Sequence, residues 1–529
     1  MENLKYYLIT LSVFLCSCSD FLEKNPPSKP SEATFWKQKS DLDMALTACY
    51  GTMTKFDDTG YFSFATPLWD SFVDNGRSEN GRTFDVFQGN IDPSMTGIVS
   101  DVYLDAYVGI ARMNLFLYQL SKYENSDVSE EDHSFYEGQV LFLRAFYYCY
   151  LYRCYGDVPL ILEPLDLETQ YQPKVEAAKI LEQIYLDLDN AISLLPDKTY
   201  LELPGRVTRG AALALKMRMK LYEAYDEAGN VMPDKMREVL SITEQIHGYD
   251  LCDDFESLFQ KDMQEDNPEI IFSTKYLAPN NWHTGDLWFV AWLWCAPLTN
   301  FVEEFEFRDG TPFSSESDLY NPENPIENRD PRMDMTVFYQ QLVMDGVEQP
   351  VNSDMPTGYG LKKFVTHDKT EYPIGYNTRS DQDWVHFRYA EILLAVAEAE
   401  NELNGPTQKA YDAINRIRKR AEMPPLPQGL DQVQMREKIR HERRIELAFE
   451  GHRYFDLRRW KDAPIEESME IYGCDALMTE ENRAAFHSPI VVNELPTAFS
   501  RKLYFWPISH EELKRNKLLT QNPGWTYND

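Results

Sequence analysis

The stretch from His386 to Trp460 constrains the fold most, because runs of apolar residues at helical spacing alternate in it with short breaks. Counting from Tyr389, apolar side chains recur at offsets of three, four, seven, eight and fourteen, on one face of an α-helix. Gly405-Pro406 ends this helix, since Gly accepts the C-cap geometry and Pro can only begin the next one. A second run ends at Pro424-Pro425, and a third helix begins at Met435. Short breaks between striped helices predict antiparallel neighbours, and therefore stacked helical hairpins.

The same stretch places acidic residues on helix faces that should be buried. At about 100° per residue, Glu400 lies on the face of Tyr389. The acids predicted on the face of Met435 and Phe449 are Glu442, Glu446 and Glu450. Paired carboxylates fit acid/base catalysis. Arginines are dense here, however, and the pattern favours buried Glu held by planar guanidinium groups that lock one helix against another.

Several segments resemble the SusD/RagB family, surface lipoproteins of Bacteroidetes that capture nutrients, usually glycans. The resemblance rests on RYAEILLAVAEAENELNG, AYDAINRIRKRA, IRHERRIELAFEGHRYFDLRRW and the terminal FWPISHEELKRNKLLTQNPGW. EGQVLFLRAFYYCYLYRCYGDVPLI also follows the family pattern G-x-x-x-F-L-R-A-x-x-Y…Y-G-D-V-P-L. The expected fold is mainly α, with tetratricopeptide-like hairpins forming a curved scaffold and a loop-rich insertion that contains a little β-structure.

The charge balance excludes several kinds of partner. The chain has 52 Lys and Arg against 86 Asp and Glu, which gives a net charge of -34 at pH 7. A nucleic-acid binder needs the opposite sign to release phosphate counterions. A protein that attaches to anionic lipid through basic residues also needs a positive charge. A membrane location would therefore require a covalent anchor.

The N-terminus supplies a candidate for that anchor. Lys5 precedes the apolar run Tyr6–Leu15, which has the length of a signal-peptide core and is too short to span a bilayer. Cys18 follows a small serine and resembles the acylated cysteine of a bacterial lipobox, whereas Cys16 follows a bulky leucine. The alternative is an ordinary exported protein with a chance cysteine.

Changes in composition divide the chain into six segments. They are a lipoprotein signal peptide (1–17), a lipidated tether (18–33), an N-terminal helical part (34–277), a loop-rich and Trp-rich insertion (278–383), C-terminal helical hairpins (384–461) and a closing segment (462–529). Residues 34–529 are expected to form one structural unit.

Two loop segments carry the candidate ligand residues. The first is polar and resembles the family's W-D-x-x-x-D-N segment; its candidates are Trp69, Asp70, Asp74, Asn75 and Arg77. The alternative for this segment is a turn held by Asx hydrogen bonds. The second lies in the insertion and supplies Trp282, Trp288, Trp292 and Trp294. The alternative for these tryptophans is the filling of an irregular core.

Flat aromatic rings and hydrogen-bonding side chains suit sugars, which offer apolar C–H faces and many hydroxyl groups. If the two segments meet on one rim, they form a stacking platform flanked by polar groups. The sequence contains no P-loop, G-x-S-x-G or dinucleotide fingerprint. His441-Glu442 does not continue as a zinc-protease helix, because position 445 is Ile. We predict no catalytic residue, no metal site and no cofactor.

The resemblance implies a binding protein rather than an enzyme. It would sit at the outer membrane, lipid-anchored and facing the exterior, capture a glycan and deliver it to a SusC-like TonB-dependent transporter. A peptide-binding member of the RagB type is the first alternative. A secreted, all-helical glycoside hydrolase is the second, and it would need two carboxylates facing each other across a cleft.

Replacing Cys18 with Ala should release the protein from the membrane fraction, because the net charge of -34 opposes electrostatic attachment. Fractionation with and without detergent measures the release, and Cys16→Ala is the matched control that should stay bound. A Cys18→Ala protein that remains in the membrane with unchanged detergent dependence would contradict the lipobox interpretation.

Overall fold

The computed structural model describes residues 35–54, 66–78, 97–321, 326–339, 359–365, 379–461 and 501–526, with some shorter stretches between them. Cys18 and the tether lie outside these residues. In the described part of the chain, no helix combines the length and the apolar character needed to cross a membrane.

The described residues are mainly helical, as the sequence predicts. The helices are α1 (Lys39–Tyr50), α2 (Thr66–Asp70), α3 (Ile98–Leu120), α4 (Glu130–Tyr155), α5 (Ala177–Leu194), α6 (Arg209–Tyr222), α7 (Pro233–Thr243), α8 (Thr299–Val302), α9 (Arg332–Thr336), α10 (Tyr389–Asn404), α11 (Gln408–Arg420), α12 (Gln432–Glu446), α13 (Arg453–Trp460) and α14 (His510–Arg515).

The strands are short and pair two by two. They are β1 (Gly76–Arg77), β2 (Ile270–Thr274), β3 (Ala296–Pro297), β4 (Val337–Tyr339), β5 (Val343–Met344), β6 (Val347–Glu348), β7 (Tyr359–Leu361), β8 (Trp384–Arg388), β9 (Tyr472–Gly473) and β10 (Ile490–Val491). The antiparallel pairs are β1 with β3, β2 with β8, β4 with β7, β5 with β6 and β9 with β10.

Consecutive helices pack against each other, which is the arrangement of stacked hairpins. The N-terminal series runs α3, α4, α5, α6 and α7, each in contact with the next. α7 then packs against α10, which in turn packs against α11 and α12. The C-terminal hairpins therefore continue the N-terminal stack directly, and the insertion between them leaves the stack and returns to it.

Local signals set the helix boundaries in the C-terminal hairpins. Gly405 follows α10 with a φ of +79°, a backbone conformation that glycine adopts at little cost. The Thr407 hydroxyl then accepts a hydrogen bond from the backbone N–H of Ala410 at 3.4 Å and caps α11. The predicted break at Gly405-Pro406 is thus confirmed.

One detail of the sequence-based helix assignment is wrong, and one buried acid lacks the predicted arginine partner. α12 ends at Glu446. Phe449 and Glu450 therefore lie in the turn before α13 and not on the apolar face of α12. Glu400 is buried on α10 as predicted, but its carboxylate accepts hydrogen bonds from Asn404 and Thr407, both at 3.0 Å, at the end of the helix.

A buried network of ion pairs joins β8 and Glu269 to the C-terminal hairpins. Arg388, at the end of β8, donates to Glu269 at 2.6 Å and to Glu446 at 2.6 Å. It also donates to both carboxylate oxygens of Glu450, each at 2.7 Å. Its side chain is 1% exposed and that of Glu446 is 0% exposed. The predicted pairing of these buried acids with arginine is confirmed.

The network extends to α9 in the insertion, which begins at Arg332. Arg332 donates to Glu442 at 2.6 Å, to Glu446 at 2.9 Å and to Asp330 at 2.7 Å. Burial by itself would raise the pKa of Glu446, but Arg420, Arg388 and Arg332 hold that pKa well below its ordinary value.

Replacing Glu446 with Ala should lower the free energy of unfolding by about 3–5 kcal/mol, because it leaves three buried guanidinium groups without their shared partner. Urea denaturation at neutral pH measures the loss. Since the folded-state pKa of Glu446 lies below the unfolded one, its contribution is complete above the ordinary Glu pKa and is lost as pH falls.

Glu437 lies on the same helix but is exposed, so Glu437→Ala is the matched control and should change the unfolding free energy little. Equal stabilities for the two variants at neutral pH would show that the Glu446 pairs do not hold the hairpins.

Candidate functional site

The loop that follows α2 is clamped to the turn between α12 and α13. The Asp70 carboxylate accepts hydrogen bonds from Asn75 Nδ2 at 2.7 Å and from the backbone N–H of Gly451 at 3.0 Å. Gly76 lies so close to the turn that a Cβ there would stand 3.1 Å from a ring carbon of Phe449. Asp70 and Asn75 are fully buried, and these hydrogen bonds attach the loop to the turn; they are not the local Asx turn of the sequence-based alternative.

Asp74 makes a second clamp on the same loop. Arg453 donates to its two carboxylate oxygens at 2.9 and 2.8 Å, and Arg444 lies 3.1 Å away. Burial raises the pKa of Asp74, while the two arginines outweigh burial and bring it well below its ordinary value. Asp74 is therefore an ionised residue whose charge is already balanced within the protein.

The structure brings the two predicted ligand segments together. β1 pairs with β3, so that Gly76 faces Pro297 and Arg77 faces Ala296. The backbone N–H of Leu298 also donates to the Asn75 carbonyl oxygen at 3.0 Å. Backbone pairing thus joins the polar loop to the chain just after the Trp-rich segment, at residues that are themselves buried.

Three tryptophans of the insertion stack in series. The segment around them forms a π-helical turn at Leu287–Ala291. Trp288 stacks on Trp294 with ring centroids 4.9 Å apart, and Trp294 packs against Trp292 at the same distance. Trp288 is buried, whereas Trp292 and Trp294 are partly exposed. A buried ring therefore backs a pair of rings that reach the surface.

The remaining two tryptophans lie elsewhere. Trp69 is 1% exposed and stacks on Trp506 with ring centroids 5.6 Å apart, which places it in the core. This corrects the sequence-based assignment of Trp69 to the ligand site. Trp282 is partly exposed, and the Arg379 guanidinium lies 5.3 Å from its ring centroid.

A cleft of about 600 Å³ opens beside the polar loop. We call it the charged cleft; it is lined by Asp74, Asn300, Glu303, Glu304, Glu306, Pro312, Phe313, Lys438, His441 and Arg444. These residues come from the loop after α2, from the segment that includes and follows α8, and from α12. Apart from Asp74, the sequence analysis did not select them as ligand residues, because no spacing rule connects three segments so far apart in the chain.

Most charges in the charged cleft are paired. Arg444 donates to Glu304 at 2.7 Å, and Lys438 donates to Glu306 at 2.8 Å. His441 Nε2 lies 2.8 Å from the backbone oxygen of Glu304. Within the described part of the chain, no group of three or more His, Cys, Asp or Glu residues could hold a metal ion.

Comparison with known proteins identifies the scaffold that carries this site. The sequence profile described as "SusD family" matches residues 256–525, just over half of the chain. The chain belongs to the SusD family. A second profile, described as "Starch-binding associating with outer membrane", matches residues 20–221.

SusD-like relatives match this chain over nearly its whole length. SusD-like protein P2 of Formosa agariphila is 26% identical and covers 99% of this chain and 100% of its own. A SusD-like carbohydrate-binding protein from Bacteroides fragilis has a TM-score of 0.78 at 26% identity, over 92% of this chain and 100% of that chain. Another SusD-like protein from that species has a TM-score of 0.75 at 26% identity, over 94% and 99%.

The predicted family and the mainly α fold class are thus confirmed. The family motifs lie in the scaffold, and they include the helices that carry the buried ion pairs. The π-helical turn lies outside those motifs, whereas the charged cleft takes His441 and Arg444 from one of them.

Proposed function

We propose that this SusD-family chain is a cell-surface lipoprotein that captures oligosaccharide or polysaccharide. It is held at the outer membrane through Cys18, faces the exterior, and delivers its glycan to a SusC-like TonB-dependent transporter. The names of the two matching profiles and of the carbohydrate-binding relative support this proposal.

The observation that carries the proposal is the exposed edge of the tryptophan stack. Trp292 and Trp294 present aromatic surface, and Trp288 holds them from behind. Arg77, which pairs with Ala296 in the β1–β3 ladder, is buried. Aromatic rings that are fixed in advance lose little conformational entropy when they bind a sugar face. Trp282 is a further candidate, on a neighbouring part of the insertion.

The structure also supports a binding role over a hydrolytic one. Glycoside hydrolysis requires a carboxylic acid and a second carboxylate on opposite sides of the scissile bond. The acids of the buried network are tied to arginines, and Glu304 and Glu306 in the charged cleft are paired with Arg444 and Lys438. Such pairing suits structural carboxylates better than a proton donor.

An apolar groove of about 520 Å³ supports the proposed contact with the transporter. Leu104 and Leu115 of α3 line it together with Leu165, and each of these leucines is at least 36% exposed. Its charged lining residues in the described chain are the acids Glu163 and Glu512. Exposed apolar patches mark interaction surfaces. The groove therefore suits a partner that presents apolar and basic groups, and we assign it to the transporter.

Replacing Trp292 or Trp294 with Ala should weaken glycan binding several-fold or more, because stacking contributes ~0.5–1.5 kcal/mol per aromatic pair beyond burial. Calorimetry with a panel of oligosaccharides measures the affinity, and thermal melts should change little. The glycan recovered afterwards should be chemically intact.

Two further variants distinguish tryptophans that bind the glycan from aromatic residues that only stabilise the fold or lie elsewhere on the surface. Trp288→Ala should cost about 3–5 kcal/mol of stability, since a buried ring is removed. Tyr118→Ala removes an exposed aromatic ring from α3 and should leave affinity and stability unchanged. Unaltered glycan affinity in both Trp292→Ala and Trp294→Ala would show that the glycan binds at another place on the protein. Selective binding of peptides would favour the RagB-type alternative.

Replacing Leu165 with Asp should reduce co-purification of the TonB-dependent transporter several-fold, because it adds a charge to an apolar and acidic groove. Mass spectrometry of the complex captured from solubilised outer membranes identifies and quantifies the transporter. Leu186→Asp, at an exposed leucine of α5, is the matched control. Equal recovery with both variants would exclude this groove as the docking surface.

A further inference from the structure

The charged cleft has the dimensions of a ligand site that is separate from the tryptophan stack. Its volume of about 600 Å³ lies within the usual range for small-molecule pockets, roughly 300–1,000 Å³. Phe313 and Pro312 give it an apolar side, and Asn300 adds an amide group. Such a mixture of apolar and polar surface suits a single sugar ring.

Most charged side chains that line the cleft are paired with a side chain of opposite charge. Lys438 is paired with Glu306, which also contacts Arg418 at 3.0 Å. Arg444 lies between Asp74 and Glu304. These pairs leave no strong attraction for an anionic ligand, because each cation already faces a carboxylate.

Glu303 is the exception among the acids of the charged cleft. Within the described part of the chain, no cation lies within 4.0 Å of its carboxylate, and no hydrogen-bond donor contacts it. The residue is only partly exposed. Burial raises its pKa; Arg329 opposes that effect, and neighbouring Glu304 adds to it. One carboxylate thus lines the cleft without a salt-bridge partner in the described part of the chain, although Arg329 acts on it from a longer distance.

We propose that the charged cleft binds a sugar residue that carries a primary ammonium group, with Glu303 as the carboxylate that pairs with it. The assignment rests on the proposed glycan-binding function and specifies the class of glycan. The ammonium would supply the missing positive charge and donate hydrogen bonds, while Phe313 would contact the apolar face of the ring. An N-acetylated or uronic-acid ring of the same size lacks that positive charge.

Ligand-observed NMR titration of the full-length protein tests this assignment with three monosaccharides. D-glucosamine should bind roughly tenfold more tightly than N-acetyl-D-glucosamine, the scale of a hydrogen bond to a charged group. D-glucuronate should bind more weakly than either. Glu303→Gln preserves size and should remove the preference for glucosamine, whereas Glu316→Gln, at an exposed acid of the same segment, should keep it. Thermal melts confirm that both variants are folded.

The outcomes separate this inference from the proposed function. If neutral oligosaccharides bind through Trp292 and Trp294 while glucosamine shows no advantage, the inference is wrong and the proposed function stands. If no glycan binds at all, the proposed function fails as well. If tri-lysine binds with dependence on Glu303 and glucosamine does not, the ammonium belongs to a peptide, and the sugar assignment is overturned.

Discussion

The buried ion pairs around Arg388 and Glu446 are the interaction on which the rest of this structure depends. Arg388 ends the strand that precedes α10, and Glu446 ends α12, so each bond fixes the end of one element against another. Removing charged groups from water costs several kcal/mol per ion, and the cost is offset only when partners and hydrogen bonds are complete. The geometry of the hairpins is therefore tightly specified at this point.

The turn between α12 and α13 connects the candidate site to these ion pairs. This turn supplies Glu450 to Arg388 on one side and the Gly451 amide to Asp70 on the other. Arg453, immediately after it, holds Asp74. Binding groups on loops are effective when a rigid scaffold fixes those loops. The loop of the candidate site and the buried ion pairs are thus held by the same turn.

The sequence predicted structure correctly where the pattern involves neighbouring residues, or where a buried residue type can have only a few kinds of partner. A carboxylate on a predicted buried face needs a cation, and the density of arginine indicated that Glu442 and Glu446 would be paired. It failed for Trp69, whose stacking partner Trp506 is near the C-terminus. An aromatic ring suits a core and a sugar equally well, so sequence could not separate Trp288 from Trp292 and Trp294.

The sequence by itself determined the helical hairpins, the break at Gly405-Pro406, the sign of the net charge and the family. The hairpins and the break follow from periodicity and backbone conformation, and the charge follows from composition. The family was indicated by segments that resemble SusD/RagB motifs. Only the tertiary structure decided which tryptophans reach the surface and which charges remain unpaired. Glu303 is one of four acids in residues 303–309, and it differs from Glu304 and Glu306 because Arg444 and Lys438 of α12 reach those two. Partners so distant in the chain are set by packing, which no local pattern records.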